Sequence, residues 1–249
     1  MAASLEVIGP DWPAPFRVHA CATTRTGGVS TGHFASLNLG DHVGDQPAAV
    51  AANRACLRAA LDLPAEPRWL RQVHGVRVVA AGREAMDREA DAMIASAPGE
   101  VCAVLTADCL PVIFCDDAGR HVAAAHAGWR GLAAGVLEAT LAAFAGRGVA
   151  PQSLLAWIGP AIGAAAYEVG DDVRRAFLAE DPAAAADFST NTHGRWQLDL
   201  VASARRRLDA AGVRRVFGGE LCTVCDPARF FSHRRDGHCG RQATLVWIG

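Results

Sequence analysis

Two residues that could carry out chemistry together, Cys109 and His126, lie within the apolar stretch of residues 101–132. The stretch consists of three short apolar runs separated by turn residues, a pattern that predicts three buried strands. Cys109 follows the first predicted strand, and His126 ends the third. A thiol and an imidazole at neighbouring strand ends could share one cleft, where α/β scaffolds commonly build their sites. One interpretation is a cysteine nucleophile activated by a histidine.

His74 supplies a further imidazole, because residues 69–73 predict another strand, which ends in the string Q-V-H-G. Two imidazoles and a thiolate suit Zn²⁺, and three protein ligands leave a fourth position open, as in catalytic zinc sites. A zinc ion of this kind polarises substrate groups and lowers the pKa of bound water. The spacing alone is not diagnostic, because 9 histidines and 8 cysteines allow many such triples. A packed core thiol or a hydrogen-bonded core histidine is the alternative for each residue.

The residues beside Cys109 and His126 add two further predictions. Asp108 could orient a ligand, accept a proton or cap the turn that follows it. Gly128 lies where a helix is predicted to begin, and the free N–H groups of a helix N-terminus favour an anion. Arg130 adds a guanidinium that could bind phosphate in bidentate fashion. The sequence therefore predicts an anion site beginning at Gly128, next to a metal ligand.

The elements that must position these residues are predicted from apolar periodicity and turn signals. Further strands are predicted at residues 17–24, 76–80, 91–95, 154–158, 213–217 and 244–248. Helices are predicted at residues 47–61, 131–144, 171–178 and 198–211. Because strands adjoin strands as often as helices, the pattern predicts an α+β or mixed layered α/β fold in a single domain spanning residues 1–249.

Composition excludes several classes of partner. A hydrophobic content of 51% is enough for a substantial core, and a net charge of -2 gives no indication of a nucleic-acid or acidic-membrane partner. No apolar stretch reaches membrane-spanning length. The N-terminus shows no basic region followed by a long apolar one, so the cysteines are expected to be reduced and the protein cytoplasmic. The chain is compatible with a monomer.

A second group of metal-ligating residue types occurs near the C-terminus. The string C-T-V-C places Cys222 and Cys225 ahead of His238 and Cys239. This spacing could hold a structural zinc ion. One reading of the whole chain is therefore a zinc-stabilised binding module without enzymatic activity.

Several strings together closely resemble the YfiH-type family, whose members are called multicopper polyphenol oxidase or laccase-like proteins and also purine nucleoside phosphorylases. The strings are R-T-G-G-V-S, S-L-N-L-G-D-H-V-G-D, Q-V-H-G, T-A-D-C-L-P-V, H-A-G-W-R-G, I-G-P-A-I and F-F-S-H-R-R-D-G. They span nearly the whole chain in the family's order. The resemblance implies a layered α/β/β/α sandwich and a zinc ion held by His74, Cys109 and His126. It weighs against a second zinc ion near the C-terminus.

The resemblance also implies phosphorolysis of adenosine, inosine, guanosine and methylthioadenosine to the free base and ribose 1-phosphate, and deamination of adenosine. Purine nucleosides and phosphate are then the expected partners. The expected catalytic residues are Cys109, His126 and Asp108. The expected substrate contacts are Asn38, Gln72, Arg130 and Arg234. Turn capping and strand-edge hydrogen bonding are the alternatives for the first two, and ion pairs with Asp226 or Asp236 for Arg234.

One residue departs from the family pattern, and two other chemistries compete with phosphorolysis. The family usually has Tyr where His233 stands, so a role of that phenol does not carry over to this chain, and His233 could itself act as acid or base. Cys109 could be the nucleophile of a hydrolase or of a peptidoglycan-precursor editing enzyme. Copper-dependent phenol oxidation is disfavoured, because a multicopper centre typically uses His-x-His pairs and the sequence has none. Zinc is therefore expected rather than copper.

Overall fold

Strands make up the framework of the chain, and helices cover its two outer faces. The computed structural model describes residues 5–82 and 89–249. The strands are β1 Val7–Ile8, β2 Val18–Thr23, β3 Val78–Ala80, β4 Ala92–Ala95, β5 Val101–Thr106, β6 Leu110–Asp116, β7 Val122–Ala127, β8 Leu154–Ile158, β9 Glu168–Val169, β10 Phe188–Thr190, β11 Trp196–Leu198, β12 Arg215–Gly218 and β13 Gln242–Ile248. The α-helices are α1 Pro47–Ala60, α2 Trp129–Ala134, α3 Val136–Ala145, α4 Asp171–Glu180, α5 Leu200–Ala210 and α6 His233–Asp236.

The strands form two large sheets and one small one. The larger sheet has the order β12-β8-β6-β7-β4-β3, and the second has the order β1-β2-β13-β5. Strands β10, β11 and β9 form a separate three-stranded sheet in the order β10-β11-β9. Strands β6 and β7 pair antiparallel, and their register places Pro111 opposite His126. Strand β5 crosses to the second sheet, where it pairs antiparallel with β13.

Alternating side chains of the central strands enter two different cores. In β6, Leu110, Val112 and Phe114 pack on the helix side, whereas Ile113 and Cys115 pack between the two sheets. Both faces of the strand are therefore buried, which is why its sequence is a continuous apolar run rather than an alternating one.

Three hydrophobic clusters define the layers. The first lies between the six-stranded sheet and helices α2 to α5, and the second lies between the two sheets. The third lies on the outer face of the four-stranded sheet, where Leu57 of α1 packs with Leu37 and Leu39. The order is helices, sheet, sheet, helix, so the predicted mixed α/β fold with α/β/β/α layering is confirmed. None of the helices within the described residues is both long and apolar enough to cross a membrane.

Most of the predicted elements are confirmed, with end residues that differ by a few positions. The strands of the central stretch appear as β5, β6 and β7, and the helix predicted at 47–61 appears as α1. The shorter strands β1, β9, β10 and β11 and helix α6 were not predicted. They are two to four residues long, too short for a periodic pattern to be visible.

Two predictions are wrong. Residues 69–73 form no strand; only Arg71 makes an isolated bridge, to Glu89. Hydrogen bonds that involve the side chains of Asp91 and Gln72 hold this segment in place of pairing with a neighbouring strand. The single helix predicted at 131–144 is two helices, because Gly135 adopts a left-handed conformation with a φ of 100° and breaks it.

Candidate metal centre and active site

Three side chains from separate parts of the chain converge where β6 begins and β7 ends, at the ends of two central strands of the six-stranded sheet. The ligand atoms of His74, Cys109 and His126 all lie within 4.8 Å of one another. The Sγ atom of Cys109 is 3.8 Å from Nε2 of His74. The two imidazole centroids are 4.8 Å apart, with their planes at 78°. The structure thus brings together the three residues that the sequence analysis selected.

A fourth residue, Asp91, positions both histidines. Its Oδ1 atom accepts a hydrogen bond from Nδ1 of His126 at 2.8 Å and from the backbone N–H of His74 at 2.9 Å. Its Oδ2 atom accepts from the backbone N–H groups of Gly75 at 2.7 Å and Val73 at 3.2 Å. Although burial raises the pKa of Asp91, these hydrogen bonds lower it below its usual value. With Nδ1 of His126 bonded to the carboxylate, Nε2 is the atom left for a ligand bond.

The His74 loop is held by side-chain hydrogen bonds instead of a strand ladder. The Gln72 amide pairs with the backbone of Leu105, donating to its carbonyl and accepting from its N–H, both at 2.8 Å. His74 itself has a φ of 61°, in the left-handed region. Because Asp91 accepts three successive N–H groups of this loop, the polar backbone is satisfied without strand pairing.

Glycines of the string H-A-G-W-R-G let helix α2 approach the cluster closely. A Cβ atom on Gly128 would lie 2.7 Å from Cδ2 of His74 and 3.1 Å from the thiol of Cys109. A Cβ on Gly131 would lie 2.8 Å from the carbonyl oxygen of Gly75. Contacts this short require displacement of the neighbours, so both positions need glycine for packing around His74.

The Cys109 thiol and the His126 imidazole form an ion pair. Burial raises the pKa of Cys109, but the charge of His126 and hydrogen bonds from both histidines outweigh it and lower the pKa to about 6. Burial lowers the pKa of His126, but the Cys109 thiolate and the hydrogen bond to Asp91 raise it to about 9. Cys109 is therefore a thiolate at neutral pH, the form that binds metals.

These residues fit a single metal ion of the zinc type. Two imidazole nitrogens and one thiolate are three ligands of a catalytic zinc site. The carboxylate of Asp91 behind His126 is the usual orienting partner of such a ligand. Within residues 5–82 and 89–249, this is the group of His, Cys, Asp and Glu side chains that converges closely enough to hold an ion.

A cavity of about 200 Å³ opens beside Cys109. It is lined by Ala107, Asp108, Cys109, Trp129, Ile162, Tyr167, Leu200, His233 and Arg234. The Arg234 guanidinium lies 5.1 Å from the centre of the Tyr167 ring. Burial holds the pKa of Tyr167 well above its usual value, so the phenol stays neutral. Apolar and aromatic walls with a few charged groups are typical of a small-molecule site.

Comparisons with known proteins give the family. A family model described as multi-copper polyphenol oxidoreductase laccase matches residues 19–249. Purine nucleoside phosphorylase YfiH of Escherichia coli is 51% identical over 98% of this chain and 99% of its own length. The chain belongs to the YfiH family.

Two further proteins extend this relationship. Purine nucleoside phosphorylase PA4543 of Pseudomonas aeruginosa is 54% identical over 97% of this chain and 98% of its own length. The crystal structure of protein NMB0706 from Neisseria meningitidis superimposes with a TM-score of 0.92 and 50% identity, over 97% of this chain and 98% of that one. The resemblance to the YfiH family noted in the sequence is thereby confirmed, together with its mixed α/β fold.

Asp108 lies in the cavity wall of this YfiH-family chain, but both of its carboxylate oxygens are engaged. Oδ1 accepts from the Thr223 hydroxyl at 2.6 Å, and Oδ2 accepts from the backbone N–H of Arg234 at 2.6 Å. Its backbone φ of 91° is rare for a residue with a side chain. These contacts fasten the C-terminal segment beside Cys109, which favours a positioning role over proton transfer.

The four expected substrate contacts have different environments. Arg234 lines the cavity, where it donates to the carbonyl of Glu168 at 2.9 Å. Among the described residues that line this cavity, Asn38, Gln72 and Arg130 do not occur. The Asn38 amide is buried and bonds the backbone of Gly40 and Arg241, which is turn capping. The exposed Arg130 guanidinium lies 4.3 Å over the Trp129 ring.

The C-terminal cysteine group does not converge on an ion. Cys222 and Cys225 share one turn, whereas the His238 ring bonds the Val43 carbonyl and the Cys239 thiol contacts Arg241. In the part of the chain that the structure describes, these four residues form no group that could hold a metal. All eight cysteines are free thiols.

Sequence reasoning did not identify Asp91 as part of the site. The sequence predicts Asp91 only as the first residue of the strand at 91–95. The available signal was a carboxylate directly before a buried apolar run, since a fully buried Asp needs several hydrogen-bond donors. Three of its four donors are backbone N–H groups, which the sequence does not mark.

Proposed function

We propose that this protein is a zinc-dependent purine nucleoside phosphorylase. It cleaves the N-glycosidic bond of a purine nucleoside with phosphate and releases the free base and ribose 1-phosphate. The observation that carries the proposal is the identity of 51% and 54%, over nearly the whole chain, to relatives that bear this name. The converging cluster and its adjoining cavity supply a site for the reaction.

The cavity walls suit both substrates. Trp129 and Tyr167 offer aromatic faces on which a purine can pack. Arg234 offers a guanidinium for phosphate, and its position is fixed by its bond to the Glu168 carbonyl. Adenosine, inosine, guanosine and methylthioadenosine share the purine and ribose that these groups would contact, and we propose them as substrates.

The cluster residues would hold the metal. His74, Cys109 and His126 would be the ligands, and Asp91 fixes the orientation of the His126 imidazole and the backbone that carries His74. Bound zinc supplies a Lewis acid at the edge of the cavity. The low pKa of Cys109 keeps the thiolate available for ligation at neutral pH.

His233 is suited to proton transfer with the departing base. Its Nδ1 atom lies 2.6 Å from the Gly237 carbonyl and must carry a proton to donate there. Nε2 is then the atom free to exchange a proton in the cavity. A purine anion is a poor leaving group, so protonation as the glycosidic bond breaks would lower the barrier.

Turnover of adenosine with phosphate tests the proposal. Purified protein is assayed for metal content and for product by chromatography, which separates adenine from inosine. Wild type is expected to carry about one zinc per chain and to release adenine only when phosphate is present. Cys109→Ala is expected to lose zinc and turnover together. Full activity in metal-free Cys109→Ala protein would contradict the proposal.

Deamination of adenosine is proposed as a second activity of the same site. The inosine peak in the same chromatogram measures it, because deamination needs water instead of phosphate. Inosine that forms in phosphate-free buffer, where phosphorolysis cannot convert it to hypoxanthine, and that disappears in Cys109→Ala, is the expected result. Adenine as the sole product would exclude it.

A cysteine hydrolase is a second candidate, favoured by the Cys109–His126 ion pair. Such a pair activates cysteine nucleophiles, and peptidoglycan-precursor editing would be a reaction of this kind. A covalent acyl adduct on Cys109 in protein that retains no zinc would support it. Copper-dependent phenol oxidation follows only from the family model's description; oxygen uptake with a phenol, compared between copper- and zinc-loaded protein, tests it.

A further inference from the structure

A pair of thiols lies in the turn between β12 and α6 and has no part in the proposed reaction. The Sγ atoms of Cys222 and Cys225 are 3.0 Å apart. Cys225 is exposed and Cys222 is half-buried. Small molecules can therefore reach the pair from solvent.

Backbone N–H groups converge on one of the two sulfur atoms. The N–H groups of Gly163 and Cys225 each donate to the Sγ atom of Cys222, at 3.4 Å. Donors aimed at a sulfur atom stabilise its thiolate. Burial raises the pKa of Cys222, but the hydrogen bonds from the Cys225 thiol and from the backbone outweigh it and lower that pKa. The hydrogen bond to Cys222 raises the pKa of Cys225.

The turn that carries the thiols is anchored on three sides. The backbone N–H of Thr223 donates to the Ala161 carbonyl at 2.9 Å, and its hydroxyl donates to Asp108 at 2.6 Å. The Arg235 guanidinium donates to the Thr223 carbonyl at 2.7 Å. A fixed turn holds the two sulfur atoms in contact, so little chain entropy opposes the formation of a bond between them.

We propose that Cys222 and Cys225 are a thiol–disulfide exchange site for small disulfides such as glutathione disulfide. The Cys222 thiolate attacks one sulfur of the small disulfide, whose S–S bond breaks and whose other half leaves as a thiolate that takes up a proton. Cys225 then loses its proton and attacks the Cys222 sulfur of the mixed disulfide. The second small thiol leaves, so the protein dithiol is oxidised by two electrons and one small disulfide is reduced to two thiols.

The division of roles follows from the asymmetry of the pair. Cys222 receives the stabilising donors and is the nucleophile, whereas exposed Cys225 is the resolving thiol.

A lone exposed thiol, Cys56, is the internal comparison, because its Sγ atom has only a 3.8 Å contact with the Gly27 carbonyl. Carbonyl contact does not stabilise a thiolate.

Peptide mass spectrometry after equilibration in glutathione buffers tests the inference. Zinc-loaded wild-type protein is held at increasing ratios of glutathione disulfide to glutathione, quenched with acid and alkylated. The expected result is a 222–225 disulfide that grows with the ratio, while Cys56 is still largely alkylated. The inference would be overturned if both cysteines of the pair were still reduced, and therefore alkylated, at every ratio of glutathione disulfide to glutathione.

Single variants separate the two roles. Cys225→Ser is expected to accumulate a mixed disulfide between Cys222 and glutathione several-fold faster than Cys56 does, because the resolving thiol is missing. Cys222→Ser is expected to leave Cys225 no more reactive than Cys56. Glutathione on Cys225 but not on Cys222 would contradict the assignment. A melting temperature equal to that of the wild type confirms that each variant is folded. The wild-type experiment tests the inference without either variant.

Discussion

At the scale of single residues, one buried carboxylate does more to build the site than any of the proposed ligands. Asp91 bonds one imidazole ring through Nδ1 and fixes the backbone that carries the other. The loop that carries His74, with its unusual φ, is stabilised because its N–H groups have this acceptor. The carboxylate thus sets the spacing of the proposed metal ligands.

Asp91→Asn is expected to weaken zinc binding by about 10–100-fold, since orienting partners of metal ligands typically contribute this much. Competition with a chromophoric chelator measures the dissociation constant. Asp116→Asn is the matched control, because Asp116 is also buried and accepts the backbone N–H groups of Arg120 and His121. Equal zinc affinity in Asp91→Asn and wild type would show that Asp91 has no positioning role.

The acidity of Cys109 is a second property of one residue. Because the charge of His126 lowers the Cys109 pKa to about 6, the thiolate persists above pH 6 and is lost as the pH falls through that value. In metal-free protein, alkylation of Cys109 by iodoacetamide is therefore expected to be half-maximal near pH 6. A short unstructured reference peptide with a single cysteine, mixed into the same reactions, is expected to be half-alkylated near pH 8.5. Mass spectrometry of both peptides in one digest gives the two profiles. Superimposable profiles would argue against the ion pair.

At the scale of elements, the site lies where a loop, two strand ends and a helix start meet. Helix α2 begins at Trp129, one residue after Gly128, where an added Cβ atom would collide with His74 and crowd Cys109. The glycine therefore keeps room for the cluster, which its position at a predicted helix start does not reveal.

Gly128→Ala is expected to displace His74, because the new Cβ would come within 2.7 Å of the ring. Loss of zinc affinity by at least about tenfold is expected, comparable to removal of an orienting group. Gly146→Ala is the control, since a Cβ there would make an ordinary 3.5 Å contact and the backbone is already helical. Calorimetric titration with zinc compares the two. Tight zinc binding by Gly128→Ala would show that the helix start tolerates a side chain.

The sequence predicts the elements with strong periodicity and fails where side chains replace backbone pairing. Strands β5, β6 and β7 have apolar runs long enough to identify them, and α1 has a face on which Val50 and Leu57 are buried. The 69–73 segment also contains apolar residues, but its bonds go to Asp91 and Leu105. Such partners lie 18 and 33 positions away in the chain, so local patterns cannot reveal them.

The candidate metal ligands were predicted only in part from chemistry. Residue type and predicted strand ends select His74, Cys109 and His126, but the many other His and Cys residues allow further triples of this kind. The family strings favour these three residues over the others. Asn38 and Gln72 belong to equally strong strings, yet their amides bond the backbone. A family sequence motif can therefore mark a residue that stabilises the fold as readily as one that contacts substrate.

At the scale of the whole molecule, the three ligands join segments that are distant in the chain. His74 belongs to a loop, Cys109 to the β5–β6 junction and His126 to β7. The unfolded chain does not hold these groups together, so metal that binds only the folded state adds its binding free energy to stability. Zinc is therefore expected to stabilise the whole fold.

Chelation is expected to lower Tm by roughly 10 °C, since free zinc at about 1,000 times Kd stabilises by about 4 kcal/mol and a domain of this size shifts by about 2–4 °C per kcal/mol. Melting of wild type with zinc or with chelator measures the shift. His74→Ala is expected to abolish the difference, whereas Cys222→Ser and Cys225→Ser are expected to keep it. The zinc-stabilised binding module makes the reverse prediction: the shift would survive loss of His74 and vanish with either C-terminal thiol. The two outcomes cannot coincide, because the cysteine pair and the cluster share no ligand.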